Sequence, residues 1–94
     1  MSVYAISYDL NRPGQNYGAL HEEIKSFGGY WHHLDSTWLV STQLSANQMS
    51  QRMLKHTDKN DHFLIIRVVD DYQGWLPKAA WSWLHTHISE KATA

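Results

Sequence analysis

Cysteine is absent from this chain of 94 residues. That excludes a disulfide framework, a thiolate metal site and a cysteine nucleophile. A basic surplus is also missing. Lys and Arg number 8 against 9 Asp and Glu, for a formal net charge of -1. Bulk electrostatics therefore gives no reason to expect tight duplex binding. No segment approaches the ~18 consecutive apolar residues of a membrane span. The start, MSVYAISYDL, has no basic leader before an apolar stretch, so the expectation is a cytoplasmic protein without a membrane partner. No internal repeat, low-complexity tract or linker interrupts the chain, which implies one small domain.

Tryptophan and histidine are in surplus, at 5 and 7 residues. Histidine makes the net charge conditional, because imidazoles with an ordinary pKa of ~6.5 gain protons in mild acid. The protein should be net positive by about pH 6. These histidines read first as surface residues in a lysine-poor chain, and second as an anion- or metal-binding surface.

Periodicity divides the chain into elements. Val3 to Leu10 alternates, with Tyr4, Ile6, Tyr8 and Leu10 on one face and Val3, Ala5, Ser7 and Asp9 on the other, which reads as a strand. Asn11-Arg12-Pro13-Gly14 breaks it. Tyr17, Leu20, Ile24 and Phe27 then recur at helical spacing within a helix over Gln15 to Phe27, and Gly28-Gly29 stops it. Tyr30 to Leu34 and Thr37 to Thr42 flank Asp35-Ser36 and read as a hairpin. Ser45 and Gln48 form a capping box for a helix carrying Ala46, Met49 and Met53 and ending near His56. Asp58 to Asp61 is a charged turn. The run Phe63 to Val69 is nearly unbroken in apolar residues and reads as a strand covered on both faces. Pro77 opens a last helix with the stripe Trp81, Leu84 and Ile88.

The order β-α-β-β-α-β, then α, gives an α+β fold: a ferredoxin-like split sheet with an additional C-terminal helix. Residues 1–88 form the domain and 89–94, small and polar, a flexible tail. Both crossover helices fall on one sheet face. The other needs more cover than the last helix supplies, so a homodimer is expected to bury the remainder.

Asp9 is the first candidate for chemistry. It ends the first strand just before the breaker turn, where a carboxylate either caps the turn through the Asn11 and Arg12 amides or binds a divalent cation. One carboxylate is too little for a metal site unless a dimer axis brings a second Asp9 close. Arg12 could hold a phosphate, with Asn11 and Gly14 letting backbone approach the anion. Tyr8, Tyr30, Trp31 and Trp38 offer aromatic surface that packs a core or stacks bases. His32 and His33, adjacent on a strand, face opposite ways and cannot chelate one ion. Either is a candidate general acid or base near Asp9.

Three stretches carry a family resemblance. Tyr4 to Asn11 (YAISYDLN) resembles the first strand of the CRISPR-associated Cas-two family and its VapD-like relatives. Leu34 to Val40 (LDSTWLV) resembles that family's opening of the third strand, and Asp58-x-x-Asp61 its acidic turn before the fourth. The wording is closer still to small uncharacterised SinR-like proteins. The resemblance spans roughly Val3 to Val69. It implies a symmetric dimer with both Asp9 carboxylates near the axis around magnesium. It also implies RNA or DNA binding and, as in some members, metal-dependent endoribonuclease cleavage. Asp9 would hold the metal, Arg12 and Asn11 the phosphate, Tyr8 and Trp38 the bases, and Ser36 or a nearby His the water. Pro77 to Ile88 departs from the family's usual ending, a fifth strand exchanged between subunits. Only Arg12 stands where nuclease members carry a dense basic stretch. That departure supports the alternative expectation, a non-catalytic module of a toxin-antitoxin or mobile-element defence system that binds a protein partner.

Overall fold

The computed structural model describes residues 1–10 and 17–92, and every side chain within them except those of 33 and 89–92. Strands β1 (Ser2–Asp9), β2 (Gly29–Leu34), β3 (Thr37–Thr42) and β4 (His62–Val68) alternate with helices α1 (Gly18–Lys25), α2 (Ala46–Met53) and α3 (Lys78–Ala92). A 3-10 turn at Leu54–His56 extends α2. The strands form one antiparallel sheet in the order β2-β3-β1-β4. The protein is a mixed α+β domain, and β1 is flanked on both sides.

The alternation along β1 divides the core into two layers. Ile6, with Trp38 and Val40 of β3, packs under Leu20 and Ile24 of α1 and Met49 and Met53 of α2. Each fully buried aliphatic side chain contributes roughly 1.5–3 kcal/mol, so this layer carries most of the fold's stability. Val3 points the other way, into a smaller cluster with Leu84 and Ile88 of α3.

Local chemistry fixes the ends of the elements. The capping box forms as expected: Gln48 N–H donates to Ser45 Oγ at 3.1 Å and Ser45 N–H to Gln48 Oε1 at 2.8 Å. Gly28 leaves α1 with φ +155°, and a Cβ there would run into the Ser41 carbonyl oxygen. Only glycine tolerates both constraints. Asp58 Oδ1 accepts from Asn60 N–H at 2.8 Å and Asp61 Oδ2 from Asp58 N–H at 3.0 Å, which builds the acidic turn before β4. Glu23 of α1 clamps α2, accepting from Arg52 Nε at 2.9 Å and pairing with His56 Nε2 at 3.1 Å. These two partners, His56 first, hold its carboxyl below the ordinary value.

Three expectations change. α1 runs from Gly18 to Lys25, shorter than the stripe from Tyr17 to Phe27. α3 continues to Ala92, through most of the stretch assigned to the tail. β4 is not covered on both faces: Leu64 and Ile66 are 57% and 54% exposed. The strand lies at the sheet edge, and α3 packs over the Val3 and Val68 end only.

Candidate functional site

Register places the site residues. Asp9 of β1 stands opposite His62 of β4, Ser7 opposite Leu64, Ala5 opposite Ile66 and Val3 opposite Val68. Cross-strand partners share a face. Asp9 is therefore on the face that α3 partly covers, at the end α3 leaves open. Both Asp9 and His62 are exposed.

The β2–β3 turn meets the same rim, since Tyr8 N–H donates to the Ser36 carbonyl at 3.0 Å. This brings Asp9, Tyr8 and Ser36 together. Ser36 is exposed. Asn11 and Arg12, the expected phosphate contacts, lie outside the described residues, as does the side chain of His33.

Tyr8 points to the opposite face from Asp9. Its hydroxyl accepts from Trp38 Nε1 at 3.0 Å, donates to the Asp35 carbonyl at 3.3 Å and lies 3.2 Å from His21 Nε2. His32 stacks on Trp38 with ring centroids 3.7 Å apart and an interplanar angle of 11°. Its Nε2 is 3.2 Å from the Asp35 carbonyl. The His21 and His32 centroids are 6.3 Å apart. Burial, with His32 next in weight, pushes the His21 pKa below 6.5.

The expectation that Trp38 stacks bases is corrected. Trp38 is 1% exposed, because His32 covers its ring and α1 packs over the same layer. Tyr8, half-buried with its hydroxyl engaged, is a packing residue as well. Tyr30 keeps an exposed edge. The tyrosine-histidine cluster itself was not foreseen. The available signal was His21 four residues after Tyr17, at the margin of the apolar stripe.

Among the described residues no three His, Asp or Glu side chains converge on a point that could hold a metal. Within one chain Asp9 offers a single carboxylate with His62 beside it. Magnesium demands a nearly octahedral shell of oxygens, so these two side chains do not complete its site. A two-fold axis through this rim would double the set.

Neither a family model nor a curated protein matches this chain. In fold it resembles the hypothetical protein TT1823 of Thermus thermophilus. The crystal structure of TT1823 superimposes with a TM-score of 0.62 at 19% identity, covering 81% of this chain and 92% of TT1823. At that identity the likeness to TT1823 extends to the fold and no further. Among the described residues, no helix is long and apolar enough to cross a membrane.

Proposed function

We propose that this protein is a ferredoxin-like homodimer of the Cas-two type that binds nucleic acid at a rim carrying two Asp9 carboxylates. One observation carries this reading: exposed Asp9 lies on the same sheet face as exposed Leu64 and Ile66. A second subunit covering those apolar residues would set Asp9 beside its own copy if the two-fold axis passes this rim, since isologous symmetry pairs a residue with itself only near the axis. The β-α-β-β-α-β order and the sequence β2-β3-β1-β4 across the sheet support the ferredoxin-like description. The paired carboxylates, with His62 next to each, would hold the divalent cation that a phosphodiester site uses to neutralise charge. Ser36, on the same rim, would meet the nucleic-acid backbone.

Asp9→Asn tests the reading. Asp9 is exposed, so the variant should fold as the wild type does. Wild type should bind single-stranded RNA or DNA oligomers in a manner that responds to magnesium or manganese, and Asp9→Asn should lose that response. Binding or cleavage unchanged by the substitution would remove Asp9 from the site.

A second reading is favoured by a different observation. Trp75 is 99% exposed, and aromatic side chains anchor protein contacts. If wild type shifts no nucleic acid even at low salt, the non-catalytic interaction module is the better description.

A further inference from the structure

The face shared by β1, β3 and α3 contains an apolar cavity of about 210 Å³. Ala5, Trp31, Leu39, Val68, Trp81 and Leu84 form most of its wall, and no residue lining it carries a charge. An apolar cavity of ~150 Å³ already accepts a benzene ring. This one has room for the larger indole. Thr37 and Gln73, also in the wall, offer oxygens to an indole N–H, which seeks an acceptor when buried.

Such a group lies next to the cavity along the chain. Gln73 and Leu76 line the cavity, and between them Trp75 is 99% exposed. Leaving a whole indole in water forgoes the burial of ~150–250 Å² that aromatic side chains usually contribute. That is about a quarter of the ~800 Å² per partner of a stable interface. Leu34, which lines the cavity and is 45% exposed, and Leu64 and Ile66 lie on the same face.

We propose that Trp75 of a second copy of this chain fills this cavity, and that the exchange is reciprocal. This inference rests on the homodimer reading above and adds the device that holds the subunits together. Knob and hole come from one chain, so a two-fold axis satisfies both at once. The wall sets no charge against the entering indole.

Two measurements test it. Sedimentation at tens of micromolar should find wild type dimeric. Trp75→Ser, which removes a side chain making almost no contact within its own chain, should raise the dimer dissociation constant about a thousandfold, because the reciprocal exchange loses a hot-spot residue from both subunits. Because the chain has no cysteine, Leu34→Cys introduces a single thiol at the cavity wall. A bulky maleimide should label it slowly, and at least tenfold faster once Trp75→Ser is added. A Trp75→Ser protein that stays dimeric, with Leu34→Cys labelled at an unchanged rate, overturns the Trp75 exchange and leaves the homodimer intact. A wild type monomeric throughout that range overturns both.

Discussion

His21 connects burial to protonation at a single residue. Its ring sits 5.9 Å from Tyr8 and 5.8 Å from Trp38, centroid to centroid. Removing water disfavours the imidazolium, and a second imidazole nearby disfavours it further. The native pKa therefore lies below the 6.5 of an open histidine. Between those two values the unfolded chain binds more protons than the folded one, so stability rises with pH there. The contribution is fully present above about pH 6.5 and is lost as pH falls through the folded-state value. Proton NMR of the imidazole Cε1–H groups checks it. His21 should titrate below 6.5, and His32→Gln should raise its midpoint by removing the neighbouring imidazole that disfavours its charge. A His21 midpoint at or above 6.5 in wild type would contradict the burial seen here.

At the scale of elements, the turn from α1 into β2 depends on one glycine. Gly28 has positive φ and faces the Ser41 carbonyl of β3. Gly29 has no such constraint, since a Cβ there would meet His87 Nε2 at an ordinary 3.8 Å. Gly28→Ala should cost more than about 1 kcal/mol, beyond what a compatible glycine site involves. Gly29→Ala should cost clearly less. Urea midpoints of the two variants decide it, and equal losses would mean that the turn does not depend on Gly28. The alternation of β1, the Ser45-Gln48 capping box and the stripe Trp81, Leu84 and Ile88 were all legible in the sequence because each is a local pattern. Ser36 entered only through the family resemblance, and its approach to the Asp9 rim by way of Tyr8 was not legible, because it is a long-range contact between a strand end and a hairpin turn. That the last helix would leave part of the second face open was legible too; that the gap falls at Leu64 and Ile66 was not, because it depends on how far α3 reaches across the sheet. For Trp38 the strand pattern left core packing and base stacking both open, for a related reason. Its register opposite Ile6 puts it under α1, and a strand's period does not tell which of its faces a helix will cover.

For the whole molecule, exposed apolar surface is the feature on which a homodimer would depend. A chain of 94 residues is of a size whose own core is modest, and this chain has no cysteine with which to staple itself. It nevertheless leaves Leu64, Ile66 and Trp75 in water. If a second copy covers them, unfolding dissociates a dimer, and mass action makes the melting temperature depend on protein concentration. A tenfold increase in concentration is worth about 1.4 kcal/mol per dimer. Two chains unfold together, and for that combined size 1 kcal/mol moves Tm by roughly 2–4 °C. Each tenfold step should therefore raise the wild-type Tm by about 3–6 °C. Trp75→Ser should melt at a temperature that hardly changes over the same range, since its monomers have nothing to separate. Two different failures have different meanings. A flat wild-type series would leave the apolar face without a second copy, and the rim without its second Asp9. Parallel slopes in both proteins would keep the dimer and transfer its hold from Trp75 to the Leu64 and Ile66 edge, where Ile66→Lys should then flatten the series.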